Sequence, residues 1–251
     1  MTGGISGSGN CNILNCYNTG NIEATKTSIG GIVGYNYIEI RNCYNTGSIS
    51  SLEDYVGGIA GNCYSGSDRI INNCYNTGTV SGNNDVGGIL GVVTSSKNQV
   101  VDKCYNLGAI SGNNYVSGII GRTNTKETKV SNCYNMAKIT GQKTAGMVYK
   151  NTAEKLKAIS CYNFGFLESQ YKYGISNMAI TENCYYLNTC GATDSNGTAI
   201  SSEDLKNLAS TLDKAYTINA ETGEVTISET EIQNVWTDDT QNINGGYPIF
   251  K

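Results

Sequence analysis

The chain has 251 residues, a formal net charge of −4 and a pI near 4.9, and such an acidic chain disfavours nucleic-acid binding, which needs a basic surface. No apolar run is long enough to span a membrane, so we expect no membrane insertion by these residues. The lack of histidine excludes Ser-His-Asp and Cys-His nucleophilic sites and every histidine-based metal site.

The first repeated motif is Asn-Cys-Tyr-Asn-Thr-Gly. It is complete at residues 15–20, 42–47 and 73–78, and its Cys-Tyr pair returns in four further units. The cysteines of these units are Cys16, Cys43, Cys74, Cys104, Cys133, Cys161 and Cys184. Successive pairs lie 27, 31, 30, 29, 28 and 23 residues apart. Such a regular period argues against disorder and predicts a solenoid, in which copies of one supersecondary unit stack on each other.

A second motif, Gly-Gly-Ile-x-Gly, follows the first within each unit. It is complete at residues 30–34, 57–61 and 87–91 and weakens further along the chain. Residues alternate with period two in both motifs, which predicts two short strands per unit with cysteine facing inward. Paired glycines within a strand predict tight corners or close backbone approach. We therefore predict an all-β fold, a parallel β-solenoid of about six to seven coils over residues 1–184, right-handed by the general preference for right-handed crossovers.

The start of the chain falls in the middle of a unit, because residues 3–7 are themselves a second motif. We expect further repeats and a signal sequence upstream.

Residues 185–251 lack the period and predict a small α+β cap. Ser201 and Asp204 occupy capping-box positions before an apolar helical face. That face consists of Leu205, Leu208, Ala209 and Leu212. Residues 216–218 and 225–227 flank a Glu-Thr-Gly-Glu turn and predict a hairpin. We expect the cap to cover the strand edges of the last coil, which would otherwise be open to aggregation.

The seven cysteines that share one position in the repeat predict a structural ladder. Residues in phase on neighbouring coils lie about 4.8 Å apart with parallel side chains, whereas a disulfide needs converging Cβ atoms about 3.8 Å apart. We therefore expect reduced, buried thiols that pack as small hydrophobic groups. Cys11, Cys63 and Cys190 are out of phase, and Cys184 with Cys190 is the local pair to test for a bond.

Basic residues gather in the last two long variable segments, which follow the second strand of a unit. In solenoids such insertions often form the binding surface. Arg122, Lys126 and Lys129 are the candidates for binding an anionic glycan. An ordinary charged loop explains the same residues, since Glu127 and Glu154 dilute the positive charge.

Calcium is the one cofactor for which the sequence offers candidates. Glu53, Asp54 and Asp85 are close in phase on successive coils, and residues 194–197 have the oxygen-rich composition of a calcium loop without the remaining ligands. A solvated edge and a plain turn explain these two segments more simply. We predict no catalytic residues and no other metal site.

The tyrosine of each Cys-Tyr pair predicts a second ladder. If this row is exposed, tyrosine and asparagine together form a platform for a sugar or a protein. If it is buried, the row contributes to packing, which is the interpretation we favour.

Both motifs, together with Trp236 and the closing Asn244-Gly245-Gly246-Tyr247-Pro248, resemble the GLUG-motif repeat proteins, a group of bacterial cell-surface and secreted proteins. The resemblance covers nearly all of the chain. It implies a β-helical stalk or binding region of a large surface protein, often grouped with adhesins, and it brings no catalytic residues. Units near the cap lack the full double glycine, so we expect distorted coils there.

The predicted function is that of a non-enzymatic extracellular repeat domain of a bacterial surface protein. It would act as an adhesin stalk or as a ligand-binding surface, with a host or cell-surface glycan or protein as partner. The alternative is a carbohydrate-binding or polysaccharide-cleaving β-helix, because parallel β-helices include polysaccharide lyases and hydrolases. A pure spacer is a third hypothesis, and the long, irregular second set of loops argues against it.

Overall fold

The computed structural model describes residues 1–35, 37–64, 68–94, 98–124, 127–150, 155–193 and 196–251. The repeat region folds into five parallel sheets of six to eight strands each. One coil of the chain visits the five sheets in turn, and we number them in that order. The predicted all-β fold class and the parallel β-solenoid are confirmed.

The strands are short, and each sheet takes one strand from every coil. The first sheet contains Thr2–Gly3, Ile29–Gly30, Val56–Gly57, Asn84–Gly87, Asn114–Ser117, Lys143–Ala145 and Tyr171–Tyr173. The second contains Ser6–Ser8, Val33–Tyr35, Ala60–Cys63, Leu90–Val93, Ile120–Thr123 and Val148–Lys150. The third contains Asn12–Leu14, Glu39–Arg41, Arg69–Asn72, Gln99–Asp102, Glu127–Ser131, Lys155–Ile159 and Ile180–Glu182.

The remaining two sheets complete each coil. The fourth contains Tyr17–Asn18, Tyr44–Asn45, Tyr75–Asn76, Tyr105–Asn106, Tyr134–Asn135, Tyr162–Asn163, Tyr185–Leu187 and Thr198–Ile200. The fifth contains Ile22–Ala24, Ile49–Ser51, Val80–Ser81, Ile110–Ser111, Ile139–Thr140 and Leu167–Glu168. Parallel pairing thus extends past Cys184, and Thr198–Ile200 is the last parallel strand.

Equivalent residues of successive units pair directly in the sheets. Val56 pairs with Val86 in the first sheet, and Tyr75 pairs with Tyr105 in the fourth. Each motif residue therefore stacks on its own copies along the solenoid axis. Near the cap the second sheet is irregular: its register shifts after Ile120, and beyond Val148–Lys150 a single bridge reaches Ser176.

The residue before each ladder cysteine turns the chain between the third and fourth sheets in a left-handed conformation. Asn fills this position in most units, with φ of 53° at Asn42 and 52° at Asn73. Asn tolerates this conformation better than most residues with a Cβ atom, which explains the Asn of the Asn-Cys-Tyr motif. Lys103 and Ser160 take the same position in two units, each with φ of 52°.

The Asn after each tyrosine forms a buried amide ladder. Asn76 Nδ2 donates to Gly78 O at 2.7 Å and to Asn106 Oδ1 in the next coil at 2.8 Å, and the same pair of bonds recurs from coil to coil. The second glycine of Gly-Gly-Ile lies against this ladder. A Cβ atom on Gly58 would lie 2.1 Å from Gly88 O and 2.5 Å from Asn76 Cγ, so only glycine fits.

The apolar interior consists of two clusters. One contains Ile and Val side chains of the second and third sheets together with the ladder cysteines from Cys43 to Cys184. The other contains the Ile and Val side chains of the first and fifth sheets, such as Val56 and Val80. Each coil contributes only a few apolar residues, so stability depends on stacking many coils.

The C-terminal residues fold into two short helices, a hairpin and a closing strand pair. Helix α1 is Ser202–Lys206 and helix α2 is Ala209–Leu212; the hairpin is Lys214–Ile218 with Val225–Ile232, and Trp236–Thr237 pairs with Ile249–Phe250. The predicted N-cap of helix α1 at Ser201 is confirmed, because Ser201 Oγ accepts a hydrogen bond from the backbone amide of Asp204 at 3.1 Å.

The sequence predicts one helix with an apolar face from Leu205 to Leu212, whereas the structure has two short helices there. The chain tightens at Asn207, whose amide bonds to Asp204 O, and Leu208 N bonds to Leu205 O. This turn still brings Leu205 and Leu212 into one buried cluster with Trp236. In the described ranges, no helix has the length and apolar character needed to cross a membrane.

Candidate ligand-binding groove

A groove runs between the outer face of the third sheet and the overhanging hairpin. Side chains alternate along each strand of that sheet, so Ile71 and Val101 face inward while Ile70, Val100 and Lys129 form an outward row. Tyr216 of the hairpin closes the groove on the other side.

We call this surface the cap groove. It is lined by Ile70, Val100, Asp102, Lys103, Lys129, Asn132, Tyr216, Gln233 and Val235, together with Arg41 and Asn72, and has a volume of about 370 Å³. A second depression of about 270 Å³ shares Asn72, Lys103 and Val235 with it and continues toward Asn42, Phe250 and Lys251. Ile70 and Val100 give the groove an apolar floor, and polar or charged residues form most of its remaining lining.

A chain of hydrogen bonds fixes the polar wall of the groove. Arg41 Nη1 donates to Asn72 Oδ1 at 3.3 Å, and Asn72 Nδ2 donates to Asp102 Oδ2 at 3.0 Å. The other oxygen of Asp102 accepts from Ser131 Oγ at 2.6 Å and from Asn132 Nδ2 at 3.0 Å. The carboxylate of Asp102 is thereby held in place by three donors.

The same chain of bonds ties the groove to the cap. Asn132 Nδ2 also donates to Gln233 Oε1 at 3.1 Å, and Asn132 Oδ1 accepts from the indole Nε1 of Trp236 at 3.2 Å. Asn132 is the left-handed residue before Cys133. A residue that turns the coil therefore also positions the cap.

Two lysines give the groove its free positive charge. Within the described ranges neither Lys103 nor Lys129 forms a salt bridge. Lys129 Nζ lies 3.5 Å from Tyr216 Oη and 5.8 Å from the centre of its ring. Lys251, at the far end, is paired with Asp213 at 2.8 Å. Neither Lys103 nor Lys129 is paired with a carboxylate in the described residues, so positive side chains outnumber the single carboxylate, Asp102, along the groove.

The structure places the predicted basic residues apart. Arg122 lies on the second sheet and forms a two-pronged ion pair with Asp85, with N to O distances of 2.6 and 2.7 Å. Its guanidinium also lies over the ring of Tyr115, 5.2 Å from the centre. Arg122 is neutralised there and does not share a ridge with Lys129, which belongs to the third sheet. Lys126 lies outside the described residues.

The acidic candidates for calcium are engaged with protein groups. Asp54 Oδ1 accepts from the amide and the side chain of Asn84, each at 3.0 Å, while Asp85 binds Arg122. Burial raises the pKa of Asp85, and the bonds from Arg122 only partly oppose this. Across the part of the chain that the structure describes, no three His, Cys, Asp or Glu side chains gather as metal ligands. Asp194 lies outside the described residues.

The ladder cysteines line the interior as thiols. Cys43 to Cys184 are buried, and Cys16, in the first coil, is half-buried. Each buried thiol donates to the carbonyl oxygen two residues earlier, as Cys74 Sγ does to Asn72 O at 3.2 Å. Burial raises the pKa of Cys74 well above its ordinary value. Cys63, which does not occupy the ladder position of the repeat, is also buried, and burial raises its pKa to about 11. Cys63 and Cys74 are therefore neutral thiols that pack as small apolar groups.

The tyrosines of the fourth sheet form one continuous stack. Ring centres from Tyr17 to Tyr162 are 4.8 to 5.2 Å apart, with planes within 7° of parallel. Exposure falls along the stack, from 58% for Tyr17 to 4% for Tyr134 and 0% for Tyr162. The predicted packing role therefore applies to the tyrosines beneath the cap, such as Tyr134 and Tyr162. The alternative, an exposed platform, applies to the end of the stack at Tyr17.

Comparisons with known proteins address the repeat and the fold. Residues 26–50 match the family described as the GLUG motif. The chain carries the GLUG motif. A provisionally assigned immunoglobulin A1 protease from Bacteroides ovatus has a similar crystal structure, with a TM-score of 0.67 and 21% sequence identity over 94% of this chain and 75% of that chain. An identity this low shows a shared fold alone. The search of curated proteins found no match.

Sequence reasoning about the GLUG repeat missed most of the groove. Lys103, Tyr216 and Gln233 were not among the predicted binding residues, although Lys129 was. One signal was available, since Lys103 replaces the Asn that most units place before the ladder cysteine. Nothing in the sequence indicated that the hairpin lies over the third sheet.

Proposed function

We propose that the chain is a non-enzymatic, extracellular repeat domain of a bacterial surface protein. The β-solenoid with its GLUG motif serves as a stalk, and the cap groove is a ligand-binding surface. The ligand class is an acidic glycan, whose carboxylates meet lysine ammonium groups and whose hydroxyls meet the amides along the groove wall.

This proposal rests mainly on two lysines that have no carboxylate partner and lie beside an apolar floor. Lys103 and Lys129 border Ile70 and Val100 in the cap groove. Sugar rings have apolar faces and polar edges, so a surface that offers both suits them. The side-chain amides of Asn72 and Gln233 lie on the same rim.

Binding is favoured over cleavage by the acids that the groove contains. Glycoside hydrolysis uses two carboxyl groups at a set separation. Asp102 is the one acidic residue among the described residues that line the groove, and it already accepts three hydrogen bonds. A polysaccharide-cleaving activity therefore has less support from this site than a binding role.

The test is a screen of the purified chain against acidic and neutral glycans, with and without calcium. The groove variant combines Lys103→Asn with Lys129→Gln. Lys103→Asn restores the residue that Asn42, Asn73 and Asn132 show to fit this left-handed position. A control, Lys26→Asn with Lys138→Gln, removes the same charge from exposed sites elsewhere, where Lys138 forms an exposed ion pair with Glu168.

We expect saturable binding to uronate-bearing glycans that falls at least about tenfold in the groove variant, which corresponds to about 1.4 kcal/mol, and stays unchanged in the control. Binding should also weaken with added salt, because exposed charges are screened. A screen that is blank in both calcium conditions, or binding that both variants retain, would rule out the groove and leave the stalk role alone.

A further inference from the structure

The tyrosine stack offers a second surface, which adjoins the cap groove at the smaller depression and is independent of the glycan function proposed for that groove. In the described part of the chain, Tyr17, Tyr44 and Tyr75 form ring contacts only with their neighbours in the stack, and we call them the open tyrosines. Tyr105, Tyr134 and Tyr162 lie beneath the cap, and we call them the capped tyrosines. Both sets belong to one stack with one spacing.

The cap binds the capped tyrosines through aromatic side chains. Trp236 lies 6.0 and 5.8 Å from the ring centres of Tyr134 and Tyr162, at tilts of 53° and 51°. Phe250 lies 5.9 and 5.4 Å from those of Tyr105 and Tyr134, edge to face. Both residues belong to short extended strands. The stack therefore accepts tilted aromatic rings from an extended segment.

The cap also uses the Asn row beside the stack. Trp236 Nε1 donates to Asn132 Oδ1, and Asn132 directly precedes the Cys-Tyr pair of its unit. A polar anchor and an aromatic row together fix the indole in one orientation, the pattern of an interface anchor.

The same groups recur, uncovered, beside the open tyrosines. Asn42 and Asn73 hold the position of Asn132, with the same left-handed backbone. Asn73 Nδ2 donates to Asn42 Oδ1 at 2.8 Å, so the row is already ordered. The depression of about 270 Å³ between Asn42, Asn73 and Phe250 lies next to this row. The open half thus repeats the aromatic and amide groups that the cap binds.

Ring geometry decides which partner fits. Tyr44 and Tyr75 are each stacked on both faces at about 5 Å spacing, so they present edges and hydroxyl groups to solvent. A sugar that stacks on an aromatic face finds no free face on these two rings. An aromatic ring can pack against these edges at a tilt, as Trp236 and Phe250 do.

We propose that Tyr44 and Tyr75, with Asn42 and Asn73, form a docking site for an extended segment of another protein that carries Trp or Phe. The indole or phenyl ring packs at a tilt over the ring edges, and an indole N–H bonds to an Asn Oδ1. The partner is not a second copy of the chain in its folded form, because its own Trp236 is 1% exposed and engaged in its own cap.

The test uses a fluorescein-labelled peptide with the sequence of residues 234–251 as probe, titrated with the intact chain and followed by fluorescence anisotropy. The docking variant is Tyr44→Ser with Tyr75→Ser. Tyr64→Ser removes a tyrosine outside the stack that is more exposed than the half-buried Tyr44 and Tyr75, and it serves as control. Tyr44→Phe with Tyr75→Phe keeps the rings, and thermal melts confirm that each variant is folded.

We expect saturable binding that falls at least tenfold in the serine variant and in a peptide with Ala at the positions of Trp236 and Phe250. The Tyr64→Ser and phenylalanine variants should stay within about twofold of the parent. Absence of saturation overturns the proposal, as does equal binding by the serine variant, which would place the peptide elsewhere. Two further results would overturn the proposal by assigning the surface to another occupant. One is a concentration-dependent dimer that the serine variant no longer forms. The other is binding of a neutral glycan that the serine variant no longer shows.

Discussion

The two halves of the tyrosine stack differ in what covers them and in little else. Tyr17 and Tyr162 occupy the same position in the repeat and belong to the same parallel sheet. Tyr17 is 58% exposed, whereas Tyr162 is fully buried and its hydroxyl donates to Pro248 O at 2.7 Å. One repeated sequence therefore produces a surface in one half of the molecule and a core in the other.

This difference shows that the repeat supplies the scaffold and the cap decides the role of each residue. Burial of the capped tyrosines depends on a cluster with Trp236, Tyr247, Leu205 and Leu212. None of these residues belongs to a repeat. Removing the cap contacts should make the tyrosines of the two halves similarly exposed. Substitutions in the shared repeat scaffold should lower the stability of both halves.

The largest effect is expected from Trp236→Ala. This substitution removes the largest side chain of the cap cluster and leaves a cavity against Tyr134 and Tyr162, which should lower the free energy of unfolding by about 3–5 kcal/mol. Urea unfolding followed by circular dichroism measures it. Trp236→Phe, which refills part of the cavity, should cost distinctly less. Equal losses for both variants would contradict a packing role for the indole.

Asn106→Ala tests the scaffold that both halves share. It removes bonds from Asn106 to Gly108 O and Asn135 Oδ1 and leaves buried amide groups unpaired, which should cost about 1–3 kcal/mol. Asn18→Ala, at the partly exposed end of the ladder, should cost less. The same unfolding experiment compares them. If Asn18→Ala costs as much as Asn106→Ala, burial does not set the strength of the ladder.

Acid should separate the cap from the solenoid. Burial acts to raise the pKa of Asp213, but bonds from Lys251 and from the amides of Val235 and Trp236 outweigh it and lower the pKa. Three backbone amides likewise lower the pKa of Asp239. Because both folded pKa values lie below the unfolded value of about 3.9, their stabilisation is complete above that pH and is lost as the pH falls through the folded values.

The sole tryptophan, Trp236, reports on this change. Its emission should shift to the red below about pH 4, where the two carboxylates take up protons, while the β-sheet circular dichroism of the solenoid persists. Asp213→Asn should reduce the pH dependence of the shift. An emission that does not change down to pH 2 would show that these carboxylates do not hold the cap.

The smallest effect is expected from Tyr17→Ala. Tyr17 contacts one neighbouring ring, that of Tyr44, and most of its surface is exposed, so the loss should not exceed about 0.5–1.5 kcal/mol. Tyr134→Ala, at the same repeat position beneath the cap, should cost about 3–5 kcal/mol. Thermal and urea unfolding of the two variants give the contrast directly. Similar losses would contradict the division of the stack into two halves.

The sequence allowed the fold to be predicted because its local rules agree with each other. The period of the Cys-Tyr pairs predicted stacked coils, and the capping-box residues Ser201 and Asp204 predicted where α1 begins. The candidate site was harder to predict. Arg122 is distant in sequence from Asp85, and only the stacking of coils brings the two together as an ion pair.

The amino-acid sequence by itself determined the coil. Asn before cysteine sets the left-handed corner, and glycine at positions such as Gly58 leaves room for the buried Asn ladder, because any Cβ atom there would overlap Asn76. These are local and nearest-neighbour constraints, which every unit repeats. Tertiary structure alone decided that the hairpin covers Lys129 and that Trp236 covers Tyr162 but not Tyr17. The position of the cap depends on where this non-repeated segment can bury its aromatic residues. Such long-range packing produces no repeated pattern in the sequence.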